Sequence, residues 1–348
     1  MVRMVDVADH AGVSIKTVSR VLNNEPHVQD SLREKVYASV KKLGYIPSAS
    51  ARSLRSNRTY TFHLISTVVI GNYINTVQSG ALTASQKHGY NLLVSLLEIE
   101  VLNNSDALKG WCAELIEKKK PDGVILVPPL SDNPQLNEIF NKSGIPISRI
   151  GPNKIDDVNN ANIIIDDRAS AKEATQELIA LGHRRIGFVR GFEDQGATQE
   201  RYNGYRDALN EAGISIDTTI VKPGAFSFES GMNAGLELLS MKNRPTAVFA
   251  ANDDMAAGVI VAAYRNGVKV PDEISVMGFD DSELAEKIWP TLSTVRQPVA
   301  SFGKAAVEHL VNQAGNGSKK REDKKSTTEI LSYEIILRGS TGTVMTTP

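Results

Sequence analysis

Residues 1–24, MVRMVDVADHAGVSIKTVSRVLNN, break into a helix, a turn and a second helix. The spacing predicts a short helix over Val2 to His10, a tight turn at Ala11-Gly12-Val13 and a second helix over Thr17 to Leu22. Ala8, Val13, Val18, Val21 and Leu22 supply the apolar positions. Ser14 stands where an N-cap belongs, so that its hydroxyl can take an orphan amide of the first turn. Two short helices joined by a Gly-containing turn, the second one capped, form a helix-turn-helix, a unit that sets its second helix in the DNA major groove. On pattern alone, a plain helical hairpin is an equal reading.

The surroundings favour the first reading. Leu32, Val36, Val40 and Leu43 recur at helical spacing and predict a third helix over Asp30 to Leu43, ended by Gly44. Tyr45 and Ile46 then pack back on the first two helices and complete a headpiece over residues 1–46. The first sixty residues hold ten basic and five acidic side chains, net +5, which leaves the remainder at −6 in a chain of net charge −1. A basic head on an acidic body suits a protein whose head meets phosphate. Residues 47–60 are small and polar around one isolated leucine, Leu54, and read as a linker that is helical only marginally by itself. Arg52, Arg55 and Arg58 are phosphate candidates there, with a solvated linker face as the plain alternative.

The 348 residues suit two or three domains, and the 41% apolar content is that of an ordinary globular protein. The single cysteine, Cys112, excludes an intrachain disulfide. No apolar run reaches membrane-spanning length and no signal-peptide core stands at the amino terminus, so a cytoplasmic, non-membrane protein is expected. From Phe62 onward, short apolar strands alternate with helices, first up to Ile150. After a polar bridge over Asn153 to Asn162, the alternation resumes as far as Gly278. This predicts an α/β body of parallel sheets covered on both faces, arranged as two lobes with a ligand cleft between them. Phe302 to Gln313 reads as a late helix and Glu329 to Leu337 as a late strand. The polar stretch Gly315 to Ser326 reads as an exposed charged loop, and residues 341–348 as a flexible tail.

Ligands of open α/β sheets lie at the carboxyl ends of strands. Asp166, Asn252 and Asp280 fall there, and Arg201 opens the helix after another strand. Two acids, an amide and a guanidinium from separate loops suit a polyhydroxylated ligand, and Tyr73 and Phe226 offer faces for stacking. A helix cap is the competing reading of each lone acid; Asp253 and Asp281 are better caps than ligands, and His183 reads as a structural turn residue. No dinucleotide fingerprint, phosphate loop, nucleophile elbow or His/Cys cluster is present, so no cofactor and no metal are expected. A sugar-modifying enzyme using Asp166 and Asp280 as an acid–base pair is a rival that the basic head weakens.

Several motifs taken together carry a resemblance. Asp6-Val7-Ala8, Ala11-Gly12-Val13-Ser14, Thr17-Val18-Ser19-Arg20-Val21-Leu22-Asn23 and Leu43-Gly44-Tyr45-Ile46-Pro47 stand in the head. Ala51-Arg52-Ser53-Leu54-Arg55, Ala180-Leu181-Gly182-His183-Arg184-Arg185-Ile186-Gly187-Phe188, Asn252-Asp253-Asp254-Met255-Ala256 and Gly278-Phe279-Asp280-Asp281 follow. Over nearly its whole length the chain resembles the lactose-repressor and purine-repressor family of bacterial transcription regulators. That resemblance implies a body like that of periplasmic binding proteins, crossed three times by the chain. Lobe 1 is then expected over about 61–160 plus 293–325, and lobe 2 over about 161–292 plus 326–340. It implies a hinge helix over 47–60 that forms on DNA, with Leu54 wedged into the minor groove. Ile15, Lys16 and Arg20 match the base-reading positions, while Ser14, Thr17 and Ser19, with Arg52 and Arg55, suit phosphate or positioning contacts.

In the body, Arg201, Phe226, Asn252 and Asp280 match effector-contacting positions, and Tyr73 corresponds to an aromatic at the pocket. The local run Ile70-Gly71-Asn72-Tyr73 departs from the usual pattern there. The family implies a near-palindromic double-stranded operator and, without leucine heptads at the carboxyl end, a homodimer. The expected effector is a sugar or sugar phosphate bound between the lobes. A purine, a nucleoside or a protein corepressor is the alternative, and the sign of the response is open.

Overall fold

The computed structural model describes residues 2–22, 25–26, 28–45, 58–67, 72–155, 160–193, 195–315 and 326–344. Leu54, Arg52 and Arg55, and with them most of the expected hinge and of the 315–326 loop, lie outside the described residues. The chain divides into two units, residues 1–60 and 61–348.

The first unit holds helices α1 (Met4–Ala11), α2 (Ile15–Leu22) and α3 (Asp30–Leu43). Isolated helices of eight residues are marginal in water, so packing must hold α1 and α2. Val7, Ala8, Val18, Val21, Val36 and Tyr45 form one buried cluster drawn from all three helices and the turn after α3. Gly12 closes α1 at φ +64°, a left-handed turn that glycine adopts without strain.

The second unit contains two six-stranded sheets. The first is built on β1 (Thr61–Ser66), β2 (Asn91–Leu96), β3 (Gly123–Leu126), β4 (Ile147–Ile150) and β5 (Ala161–Ile164). The second is built on β6 (Ile186–Val189), β7 (Val221–Lys222), β8 (Ala247–Ala250), β9 (Ser275–Asp280) and β10 (Ser293–Arg296). β11 (Thr327–Ile330) and β12 (Glu334–Ile336) each add an edge, giving the orders β11-β5-β4-β3-β1-β2 and β12-β10-β9-β8-β6-β7. All pairings are parallel except β10 with β12. Both sheets thus repeat one doubly wound order, with a switch point beside β1 in one and β6 in the other. Every residue of β3 and of β8 is buried, as covering helices on both faces require.

Three strands belong to the lobe opposite to the one expected. β5 was placed in lobe 2 but pairs with β4; β10 was placed in lobe 1 but pairs with β9. The expected single strand Glu329 to Leu337 is two strands, of which β11 joins the first sheet and β12 the second. The chain crosses between the sheets after β5, after β10 and between β11 and β12. Each of these links is only a few residues long, and a strand of four residues carries no mark of the sheet it will join.

Helices cover the sheets in close pairs. In the first lobe, α4 (Asn72–Lys87) packs on α13 (Val299–Gly315). A Cβ on Gly80 would fall 1.9 Å from the Ala300 carbonyl oxygen, and one on Gly303 would fall 2.0 Å from that of Val77. The two backbones are in direct contact, so only glycine fits at either position.

Candidate functional site

In the first unit the exposed side of α2 is the candidate nucleic-acid surface. The helix begins at Ile15, two residues ahead of the expected start, which brings Ile15 and Lys16 into its first turn. Val18 and Val21 face the core, so Ile15 and Lys16 are turned to water, and Ile15 is 45% exposed. The Ser14 hydroxyl caps the helix by accepting the Thr17 amide at 3.1 Å, and it lies 2.9 Å from the Thr17 hydroxyl. Arg20 is drawn sideways: its Nε donates to Glu25 Oε2 at 3.1 Å. To read a base it must leave that exposed pair, a small cost. Ser19 is partly buried on the same helix.

The second unit gathers its polar residues at the carboxyl ends of the strands. Arg201, on α9 (Gly196–Glu211), is the centre. It is 6% exposed; its Nε donates to Asp167 Oδ1 at 2.8 Å and its Nη1 to the Ala251 carbonyl at 2.6 Å. Its guanidinium carbon lies 3.5 Å from the centroid of the Phe279 ring. Three N–H groups are left to donate elsewhere. Asp280 closes β9 with its carboxylate Oδ1 accepting from Gln297 Nε2 at 2.6 Å. Burial raises the Asp280 carboxyl well above its usual range; Arg201 and Gln297 pull it down, while Asp253 and Asp254 push it up. Burial likewise raises Asp167 against the pull of Arg201.

The expected Asp166 has another task. Its Oδ1 accepts the Ala169 amide at 2.8 Å and caps α8 (Asp167–Ala180) from an exposed position. Its neighbour Asp167 is the acid that meets Arg201. Asn252 is a cap as well: its Oδ1 accepts the Met255 amide at 2.9 Å at the start of α11 (Asp253–Arg265). Its Nδ2 donates to the Phe226 carbonyl at 3.1 Å and so fixes the loop that carries that aromatic. Phe226 is held at φ +52°, and a Cβ on Gly191 would lie 2.0 Å from its Cζ, so Gly191 is the seat of the ring.

Tyr73, in the first turn of α4, stands 6.4 Å centroid to centroid from Phe302. Its hydroxyl is pushed above the ordinary tyrosine value by burial, then by Asp280 and Asp167, against Arg201. A first-lobe aromatic therefore shares an electrostatic environment with second-lobe acids. Asp167, Gln297, Phe279 and Phe302 were not anticipated. Asp167 was one residue from a residue that was, and Gln297 follows a strand whose end the sequence does not mark.

Behind Asp280 lies a clamp. Asp280 and Asp281 sit at φ +125° and +55°, a conformation that costs on the order of 1–3 kcal/mol per non-glycine residue. Asp281 accepts from Arg296 Nε and from Arg338 Nη1, both at 2.6 Å. Burial alone would raise Asp281, but the bonds from Arg338 and Arg296 bring it below its usual value. Asp253 accepts the Thr294 hydroxyl at 2.6 Å and the Ser282 amide at 2.7 Å. Burial pushes Asp253 up to about 6 in spite of those bonds. Asp253 and Asp281 are thus turn-holding groups and not the helix caps expected of them: Asn252 stands at the cap of α11 and Ser282 at that of the short helix after β9. His183 is also structural, with Nδ1 2.9 Å from the Thr246 hydroxyl and Nε2 3.0 Å from that of Ser275.

A family model described as bacterial regulatory proteins, lacI family, matches residues 3–48, and one described as a periplasmic binding protein-like domain matches residues 175–341. The ribose operon repressor of Haemophilus influenzae is 34% identical over 316 residues, covering 91% of this chain and 93% of that protein. A solved complex of the transcriptional regulator CelR with cellobiose is 30% identical, with a TM-score of 0.72, and covers 98% of this chain and 100% of that one. A Lac repressor dimer bound to operator and the anti-inducer ONPF is 26% identical, with a TM-score of 0.77, over 98% of this chain and 99% of that one. These proteins are transcriptional regulators, not enzymes. Among the described residues no helix is long and apolar enough to cross a membrane.

Proposed function

Because this chain belongs to the lacI family of bacterial DNA-binding regulatory proteins, we propose that it is a cytoplasmic, homodimeric repressor of carbohydrate-utilisation genes, controlled by a sugar bound between its lobes. The observation that carries the sensor half is the meeting of Arg201, Asp167 and Asp280 at the strand ends, with Tyr73 and Phe226 near them. A guanidinium with free N–H groups beside carboxylates offers the paired donors and acceptors that vicinal hydroxyls need. The similarity to the ribose operon repressor and to the cellobiose complex points the same way.

For the DNA half, Ile15 and Lys16 read base edges, Ile15 against a thymine methyl and Lys16 at guanine O6 and N7, with Arg20 as a third reader. Ser14, Thr17, Ser19, Arg52 and Arg55 hold the backbone, and Leu54 opens the minor groove. The dimer reading is supported by the Lac repressor dimer and by Leu93, Val94 and Leu96, each more than 40% exposed along the edge strand β2. A large exposed apolar row of this kind marks an interface. Two-fold symmetry then calls for a near-palindromic operator.

The test is a thermal-shift screen of D-ribose, cellobiose, other mono- and disaccharides, sugar phosphates and purines, followed by operator titration with each hit. A sugar that stabilises the wild type and not Arg201→Met, and that changes operator affinity, is the expected result. A purine as the only such hit would overturn the carbohydrate reading. Protection of one asymmetric half-site in a footprint would overturn the dimer, and an unchanged DNA bend in Leu54→Ala would discard the wedge.

A further inference from the structure

We infer that the cleft takes an uncharged polyol and turns anions away, so that neither a phosphorylated nor a carboxylated sugar is its ligand. This inference rests on the carbohydrate reading above and narrows it to one charge class.

The argument begins with the cation. An anion site needs a positive charge that is not already balanced. The Arg201 charge is balanced at 2.8 Å by Asp167, and its face lies against the Phe279 ring. What the guanidinium keeps is donors, which suit hydroxyl oxygens. The next cation along that side is Arg190, at the end of β6. It is held less closely: Nη2 donates to Gln199 Oε1 at 3.3 Å, the guanidinium lies 5.1 Å from the Tyr202 centroid, and Glu193 is 3.8 Å away and exposed. Its buried Nε has no partner among the described residues, which leaves one donor and not the paired N–H groups that a phosphate or carboxylate takes. Among the described residues, no other lysine or arginine is bonded to the acids around Arg201.

Helix amino termini are the usual alternative home for an anion, and the ones nearest Arg201 carry acids or are covered. At the start of α8 the Ala169 amide already donates to Asp166, and Asp167 follows in the same turn. α11 carries Asn252 as its cap and Asp253 and Asp254 in its first turn. At the start of α9, a Cβ added to Gly196 would fall 2.0 Å from that of Asn153, so the approach to those amides is filled by protein.

The acids complete the case. Asp167 and Asp280 flank Arg201, whose charge pulls both toward the ionised form against the burial that raises them. A second negative charge brought among them meets repulsion in a poorly solvated site, where such interactions are strong. A neutral hydroxyl meets acceptors instead.

The test compares matched pairs on the full chain at constant ionic strength: D-ribose with D-ribose 5-phosphate, and D-glucose with D-glucose 6-phosphate and D-glucuronate. Inorganic phosphate serves as the bare anion. Thermal shift and calorimetry are read for the wild type, Arg201→Met and Asp280→Asn. The neutral member of any binding pair is expected to bind at least tenfold more tightly, and phosphate to give no Arg201-dependent shift. Asp280→Asn, which removes the charge and keeps the shape, should narrow the gap between the members of a pair. A phosphate shift that is present in the wild type and lost in Arg201→Met overturns the inference, as does a charged sugar that binds as well as its neutral partner. Should Arg201→Met fail to fold, the comparison of pairs in the wild type and in Asp280→Asn decides the matter alone. If no neutral sugar binds and phosphate is still refused, the carbohydrate reading falls and the exclusion of anions stands.

Discussion

Ile15 and Lys16 project into water from the first turn of a capped helix, while Arg201 is buried with its charge balanced and its face covered. The head keeps its recognition groups loose and hydrated. The cleft fixes its groups before any ligand arrives. Loose cationic groups suit a polyanion, because the favourable free energy comes from released counterions and the long backbone tolerates adjustment. Fixed groups suit a small ligand, because ordering entropy has been met during folding. Salt, substitution and pH should therefore act on the two regions in different ways.

Salt should separate them most. A dimer making roughly six to ten phosphate contacts is expected to lose about 10³- to 10⁵-fold in operator affinity between 50 and 200 mM salt. Affinity for an uncharged sugar should change by less than about twofold over that range, since the buried pairs are poorly screened. Fluorescence anisotropy and calorimetry across the same salt series check both; a sugar affinity that falls in step with operator affinity would break the contrast.

Substitution comes next. Arg201→Met leaves Asp167 without its partner, and breaking a buried pair from one side costs about 3–5 kcal/mol. Chemical denaturation of the body should show that loss, while unfolding of the head, followed by exchange at Val18 and Val21 amides, should not move. Equal destabilisation of both would remove the idea of two independently built regions.

A pH series sharpens the picture of the cleft. Asp253 has its folded value raised to about 6, so it holds a proton in the folded state at pH values where the unfolded chain has released it. Its contribution to stability is present at low pH and fades as pH rises from about 4 through 6. In Asp253→Asn the melting temperature should fall less than in the wild type across that window, whatever its absolute level. Parallel curves would show that Asp253 is ionised throughout.

The smallest effect is expected at the head. Arg20→Ala removes an exposed pair with Glu25 and should cost about 0.5 kcal/mol of stability or less. Binding-site selection should nevertheless show relaxed preference at one base position, worth about 1–3 kcal/mol. Unchanged preference would remove Arg20 as a reader.

The contrast also bears on what the sequence makes legible. The head is local: the expected third helix, Asp30 to Leu43, coincides with α3, and the Ser14 cap is where its hydroxyl was expected. Helical spacing, a cap and a glycine stop all act within a few residues. The cleft is not local. β5, β10 and β11 are four-residue strands that fit either sheet, and the partner of each is fixed only by links a few residues long. Asp166 and Asp167 differ by one position, and which of them caps the helix decides which one meets Arg201. Gln297 is invisible in sequence because its role depends on β10 bringing it beside Asp280.

Arg338, beyond the last strand, holds Asp281 and through it the strained turn of Asp280. This sets an order of assembly during synthesis. The core of the three helices is complete once Tyr45 has been made. The clamp cannot close until some 300 further residues have been made, which at about 5–20 residues per second takes roughly 15–60 s. The reading end of each new copy therefore forms well before its sensing end, and a residue made after every strand of both sheets is the one that sets the acid of the cleft in place.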